Sequence, residues 1–168
     1  MALCACFMLS CSEDIWIEDL TEMEEDKIRG RYELVSAEWE GDPIDLNDDG
    51  VVTTDYLEEF GDRGSDYEAS FHGPVTIGVP YTWLHGYGEW KMVHKSTEYL
   101  RGRYDVLIQN NKAVMKFDLP GEIYDFTLIQ NGMVSFRKVM TVHKGSGVDI
   151  TESTASVLFT YTRIKYLR

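Results

Sequence analysis

The chain has 168 residues, of which 29 are acidic and 16 are basic, giving a formal net charge of −13. A surface this acidic repels phosphate backbones and anionic head groups, so we expect no nucleic-acid partner. The hydrophobic content of 43% and the aromatic content of 12% exclude an intrinsically disordered chain and predict one domain with a buried core.

The N-terminal residues have the pattern of an export signal. An uncharged apolar run over 2–9 ends in Leu9-Ser10-Cys11, and acidic residues follow at once. The run is shorter than the ~20 apolar residues of a membrane-spanning helix, but it matches the hydrophobic core of a secretory signal. Leu-Ser-Cys resembles a bacterial lipobox, in which the cysteine is acylated and becomes the mature N-terminus. We therefore expect a lipoprotein signal peptide over 1–10 and lipidation of Cys11.

This interpretation predicts an outer-membrane lipoprotein of the cell envelope, held on the membrane by acylated Cys11. The acidic start Cys11-Ser12-Glu13-Asp14 resembles export signals that send lipoproteins to the cell surface, and this resemblance implies surface exposure. The alternative is an apolar N-terminus without a targeting role. All three cysteines lie in this leader, so we expect no disulfide and no cysteine metal site in the rest of the chain. A tether over 11–21 then leads into a domain over 22–168.

A short helix is predicted over 22–29. Thr21 and Glu24 have the spacing of a capping box, and acidic residues fill the first turn. Lys27 and Arg29 complement the helix dipole at the other end, where Gly30 is the expected stop.

The pattern from Gly30 onward favours strands. A β-rich run over 31–39 ends in a turn at Gly41-Asp42-Pro43, and Lys138 interrupts one of the later apolar alternations. Five alternating runs follow Tyr104, and turns at 110–111, 120–121, 131–132 and 144–147 separate them. The predicted fold class is all-β: an up-and-down antiparallel barrel of about eight strands, with the last strand paired to the first.

Three segments resemble the lipocalin-like lipoproteins common in Bacteroidetes: residues 30–34 (GRYEL), residues 45–50 with the TTDYLEE that follows, and residues 159–163 (FTYTR). The resemblance implies a lipocalin-like barrel from about residue 28 onward, with one open end and no particular ligand. In lipocalins proper the first-strand motif is Gly-x-Trp, and its Trp packs beneath an Arg of the last strand. Tyr32 replaces that Trp here, and Arg163 is its expected partner.

The segment Asp45-x-Asn47-x-Asp49-Gly50 matches the first half of an EF-hand calcium loop. Position 12, where a bidentate Glu is expected, is Tyr56, so an acid nearby would have to complete the site. One interpretation is a structural, non-catalytic Ca²⁺ site with the ligands Asp45, Asn47, Asp49, the Val51 carbonyl and Asp55.

The other interpretation of this loop is an Asp/Asn/Gly turn held by bonds from side chains to the backbone. Asp55 also begins a capping box with Glu58, which predicts a short helix after the loop and gives Asp55 a competing use as N-cap.

Residues 71–90 are rich in aromatic residues and glycine. The alternation over 75–79 predicts a strand, whereas 81–88 is interpreted as a loop at the barrel mouth. Aromatic rings there are suited to stack on a sugar or to close over an apolar ligand. The predicted ligand-binding residues are Tyr81, Trp83, Tyr87 and Trp90. The alternative is that these rings pack on the barrel exterior or plug one end.

No catalytic motif is found. The four histidines are scattered, and the sequence has no Gly-x-Ser-x-Gly elbow, phosphate-binding glycine loop or cysteine nucleophile beyond the leader. We predict no catalytic residue, although the many acids leave an acid/base carboxylate pair open. The leading hypothesis is an envelope protein that binds a small or extended ligand, an apolar molecule or a glycan, without forming a covalent bond. The alternatives are a non-catalytic subunit that docks onto other envelope proteins, and an enzyme.

Overall fold

The computed structural model describes residues 29–61, 67–71, 75–102, 107–109, 112–116, 123–129 and 132–164. The predicted signal peptide, Cys11, the tether and residues 22–28 of the helix predicted over 22–29 lie outside these ranges, as do the turns at 110–111 and 120–121. Within them the strands are β1 (Gly30–Trp39), β2 (Glu68–Phe71), β3 (Val75–Tyr87), β4 (Trp90–Gly102), β5 (Leu107–Gln109), β6 (Lys112–Lys116), β7 (Ile123–Ile129), β8 (Met133–Gly147) and β9 (Asp149–Arg163). One helix, α1 (Tyr56–Phe60), lies between β1 and β2.

The strands form one antiparallel sheet in the order β4-β3-β2-β1-β9-β8-β7-β6-β5. β4 also pairs with β8, at Lys91–Gly147 and Met92–Ser146, and this contact closes six strands into a barrel. β7, β6 and β5 continue the sheet beyond β8. The predicted all-β, up-and-down antiparallel barrel is confirmed, including the meander over β5–β9 and the pairing of the first strand with the last.

Aromatic rings fill the described part of the core. The fully buried rings are those of Tyr32, Tyr56, Tyr67, Tyr161, Phe71, Phe126, Phe136 and Phe159. Phe136 stacks on Phe126 at 4.7 Å and on Phe159 at 5.4 Å between ring centroids. Each such side chain contributes roughly 1.5–3 kcal/mol on burial, so ring packing is a large part of what holds the barrel together.

The prediction that Lys138 interrupts the apolar alternation of β8 is wrong. Lys138 occupies an inward position of that alternation. It is 9% exposed. Its Nζ donates to the hydroxyl of Tyr124 at 3.0 Å and lies 3.7 Å from a carboxylate oxygen of Glu98. The alternation continues because these partners satisfy the buried ammonium group.

The helix predicted after the Asp-rich loop is confirmed as α1. Asp55 is its N-cap, and Oδ1 accepts from the backbone N–H groups of Leu57 at 3.1 Å and Glu58 at 3.0 Å. Tyr56 is buried and stacks on Trp39 at 5.9 Å, which fixes the helix against β1. No helix in the described ranges is long and apolar enough to cross a membrane.

The interpretation of 81–88 as a loop is wrong. β3 and β4 pair without a register shift from Val75–Gly102 to Tyr87–Trp90, and the turn is formed by Gly88 and Glu89. Glycine in this segment serves close approach within the hairpin. A Cβ on Gly86 would lie 2.0 Å from the carbonyl oxygen of Trp90.

The turn predicted at 144–147 is also misplaced. These residues belong to β8, and the two-residue turn is Gly147-Val148, between the paired residues Ser146 and Asp149. Gly147 has a φ of 69°, a conformation that other residues rarely adopt. The glycine signal therefore marks the end of the strand.

Candidate ligand-binding face

One face of the β3–β4 hairpin carries a row of rings and a thioether. Residues directly opposite each other in an antiparallel pair project from the same face. Three alternating residues of β3 and their partners on β4 share this face: Trp83, His85, Tyr87, His94, Met92 and Trp90. We call these six residues the aromatic face. Tyr81 precedes them at the next position of the same alternation.

The rings of the aromatic face contact one another. Trp83 stacks on His94, with centroids 4.8 Å apart and planes inclined by 24°. His85 lies edge-on to Trp83 at 5.6 Å and is 6.0 Å from His94. Tyr87 extends the row at 6.0 Å from His85. The four rings therefore form one continuous surface.

This surface faces solvent. The exposed fraction is 87% for Tyr87, 64% for Trp90, 45% for Met92 and 39% for Trp83. Soluble proteins scatter single apolar residues over their surface, but a row of large ones on one strand pair indicates an interaction site.

Trp90 also fixes the end of the hairpin. A Cβ on Gly147 would lie 3.1 Å from the indole ring of Trp90, so the ring lies directly over this glycine. The neighbouring residue Lys91 pairs with Gly147 in the β4–β8 ladder. The aromatic face is thus held on a rigid element, which lowers the entropy lost when a ligand binds.

On the opposite face of the same hairpin, Thr82 of β3 is hydrogen-bonded to His143 of β8. Thr82 Oγ1 accepts the backbone N–H of His143 at 2.9 Å and lies 3.2 Å from His143 Nδ1. His143 Nε2 lies 3.6 Å from Glu152. Hydroxyl, imidazole and carboxylate stand in a line, but Thr82 is only 5% exposed and already accepts a backbone hydrogen bond. We interpret the arrangement as a brace between β3 and β8.

Lysine supplies the positive charge in the Asp-rich loop. Lys144 Nζ donates to Asp45 Oδ2 at 3.0 Å and lies 3.2 Å from Asp48 Oδ1. The hydrogen bond from Lys144 holds the pKa of Asp45 below its ordinary value, and the two carboxylates raise the pKa of Lys144. The ammonium group therefore lies against the carboxylate that would be the first calcium ligand.

The other predicted calcium ligands form a turn. Asn47 and Asp49 bond to each other, with Asn47 Nδ2 donating to Asp49 Oδ2 at 3.1 Å. Asp49 Oδ1 accepts from the backbone N–H of Val51 at 2.8 Å. Asp55 is the N-cap of α1.

Glu59 holds the Asp-rich loop by accepting hydrogen bonds from its backbone. It is buried, and its Oε2 accepts from the backbone N–H groups of Leu46 at 2.5 Å and Asn47 at 3.2 Å. No group of three or more His, Cys, Asp or Glu residues is placed to hold a metal within the described ranges. The calcium site stays a prediction.

All four predicted ligand-binding residues lie on the β3–β4 pair. Trp83, Tyr87 and Trp90 belong to the exposed aromatic face, whereas Tyr81 is partly buried and packs against the core. His85, Met92 and His94 were not predicted as members of this face. The missing signal was the alternation of Tyr81, Trp83, His85 and Tyr87, which continues to the turn at Gly88-Glu89 and places residues 90, 92 and 94 opposite.

Comparison of the chain with protein-family models, with curated proteins and with solved structures finds no match in any of the three.

Proposed function

We propose that this protein is a lipid-anchored envelope protein that binds an extended, uncharged glycan on its aromatic face without catalysis. The apolar leader that ends at Cys11 supports anchoring at the outer membrane, exposed to the cell surface. The observation that carries the binding proposal is the row of exposed rings on a rigid hairpin, with Tyr87 at 87% exposure. Because the ring of Tyr87 is so exposed, its burial contributes little to the stability of the fold.

The chemistry of the face suits a sugar chain better than a fully apolar molecule. Sugar rings have apolar C–H faces bordered by hydroxyl groups, and flat amphipathic rings such as those of Trp83 and Tyr87 match them. The exposed imidazole of His85 offers a donor and an acceptor at the border. An apolar ligand favours an enclosed cavity, whereas the described core is filled by rings.

Charge restricts the glycan class. The chain carries a net charge of −13, so polyanionic glycans are repelled and neutral ones are favoured. The exposed rings extend along the strand pair from Trp83 to Tyr87, and such a row suits several consecutive sugar units.

The test is binding of the purified protein to a glycan array that includes neutral and acidic chains. We expect Tyr87→Ala and Trp83→Ala each to weaken binding of the best neutral glycan at least tenfold. Tyr99→Ala is the matched control, because Tyr99 is 55% exposed on β4 but projects from the opposite face. Binding that is absent, or equally weakened in all three variants, would overturn the proposal.

The second candidate is a non-catalytic subunit of a larger envelope complex, and the same exposed apolar face favours it. A photo-crosslinking residue at position 87 distinguishes the two functions in intact cells. Capture of one envelope protein in stoichiometric amounts, together with no glycan affinity, would favour the docking subunit.

A further inference from the structure

Two imidazoles and a thioether share the aromatic face at neighbouring register positions. Met92 is the direct cross-strand partner of His85, and His94 follows two residues later on the same face of β4. The imidazole centroids of His85 and His94 are 6.0 Å apart. His94 Nε2 is shielded from solvent and has no hydrogen-bond partner among the described residues.

The spacing of the two imidazoles suits a shared metal ion. A ring nitrogen binds a transition metal at about 2.0–2.1 Å, so two imidazoles on one ion have their centres roughly 5–6 Å apart. Most buried nitrogens have a partner, and the unpaired Nε2 of His94 is therefore unusual in a ring that otherwise only stacks. A metal ion would satisfy it.

The donor set selects the kind of metal. Zn²⁺ takes four ligands from Cys, His, Asp and Glu, and no group of even three such residues is placed to hold a metal in the described ranges. The third donor here is the thioether of Met92, and thioethers select Cu(I) while imidazoles also accept copper. The indole of Trp83, stacked on His94 at 4.8 Å, would lie within the range of a cation–π contact.

We propose that His85, Met92 and His94 form a binding site for a soft transition-metal ion, Cu(I), beside the indole of Trp83. The site lies within the aromatic face but does not depend on glycan binding. It adds a metal-binding activity to a surface whose rings alone suggested only stacking.

The test uses the full chain with Cys4, Cys6 and Cys11 replaced by serine, because these are the only thiols in the sequence and would bind Cu(I) themselves. Cu(I) is added without oxygen, in ascorbate, in competition with a chromophoric copper chelator. We expect one equivalent to bind and part of the emission of the four tryptophans to be quenched. Met92→Leu and His94→Phe should each weaken binding at least tenfold. Both changes preserve the fold, since Met92 is 45% exposed and phenylalanine keeps the stacking on Trp83.

Met133→Leu, at the start of β8, is the matched control and should bind as the parent does. Cu(I) binding that is absent, or unchanged in Met92→Leu and His94→Phe, would overturn the proposal. One equivalent of Zn²⁺ bound in place of Cu(I), with Met92→Leu unaffected, would also overturn it. Glycan binding is measured separately with a chelator present, so failure of either proposal leaves the other standing.

Discussion

Arg163 donates two hydrogen bonds to the hydroxyl of Tyr32, from Nε at 3.2 Å and from Nη2 at 3.0 Å. The two residues are register partners of β1 and β9, and the guanidinium carbon lies 5.4 Å from the centroid of the tyrosine ring. Burial raises the pKa of Tyr32, although Arg163 opposes the shift. The expected contact between these residues is therefore present, and it fastens the first strand to the last. It leaves the resemblance to lipocalin-like lipoproteins a prediction.

Arg163→Met should lower the free energy of unfolding by about 1–3 kcal/mol, because it removes charged donors from a buried hydroxyl. Urea unfolding followed by tryptophan fluorescence measures the change. Arg137→Met is the control. Arg137 bonds Glu40 at 2.8 Å, but its side chain is 61% exposed, so the loss there should stay below about 1 kcal/mol. If both variants lose the same free energy of unfolding, the contact between Arg163 and Tyr32 stabilises the fold no more than an exposed ion pair does.

Gly86→Ala should destabilise the β3–β4 hairpin by about 1–3 kcal/mol, because the new Cβ would overlap the carbonyl oxygen of Trp90. The hairpin would open at its tip, and ligand binding on the aromatic face would weaken although no ring is changed. Glu89→Ala, in the adjacent turn, is the control and should change neither property. Urea unfolding and the glycan assay together measure the effect. Unchanged stability in Gly86→Ala would contradict the close approach of the strands.

Local patterns were enough to predict β1, the first half of β3 and the meander over β5–β9, but not β2 or β4. Alternation and the Asn-Gly turn at 131–132 predict a meander, and a chain of neighbouring strands protects its edges by pairing its two ends. Tyr32 and Arg163 are 131 positions apart in the sequence. They are in contact because the pairing of the first strand with the last makes them register partners.

Contacts that depend on distant partners could not be predicted. Lys138 is polar by type and inward by position, and its buried ammonium group is paired with Tyr124 and Glu98, which are distant in the sequence. Lys144 reaches Asp45 across 99 residues. The aromatic face was not predicted for a different reason. Its glycine-rich composition is typical of a loop, but here Gly86 permits β3 and β4 to pair closely.

The Asp45–Lys144 pair should make the free energy of unfolding depend on pH. The pKa of Asp45 is lowered in the folded protein, so its contribution is present above the ordinary value of 3.8 and is lost as pH falls through the lower folded value. The pKa of Lys144 is raised, so its contribution persists below the ordinary value of 10.5 and is lost only as pH rises through the higher folded value.

Between about pH 5 and pH 9, wild type should melt above Lys144→Met by a constant interval, and the interval should close below about pH 4. Thermal unfolding followed by circular dichroism across this range measures the interval. Lys91→Met, which removes an exposed lysine from β4, is the control for the change in net charge. An interval that persists at pH 2 would mean that Lys144 stabilises the loop through its methylene groups and not through Asp45.

Lys144→Met also tests the calcium prediction, because the ammonium group that lies 3.0 Å from Asp45 Oδ2 is removed while the loop is kept. A ligand that binds only the folded state raises the melting temperature, and calcium would no longer have to displace Lys144. We expect millimolar Ca²⁺ to raise the melting temperature of Lys144→Met more than that of wild type. Adding Asp45→Ala and Asp49→Ala to Lys144→Met should abolish the rise. If calcium leaves wild type and Lys144→Met unchanged, and the alanine changes destabilise Lys144→Met equally in calcium and in chelator, the loop is a turn without an ion. Side-chain bonds from Asn47, Asp49 and Glu59 then account for its stability.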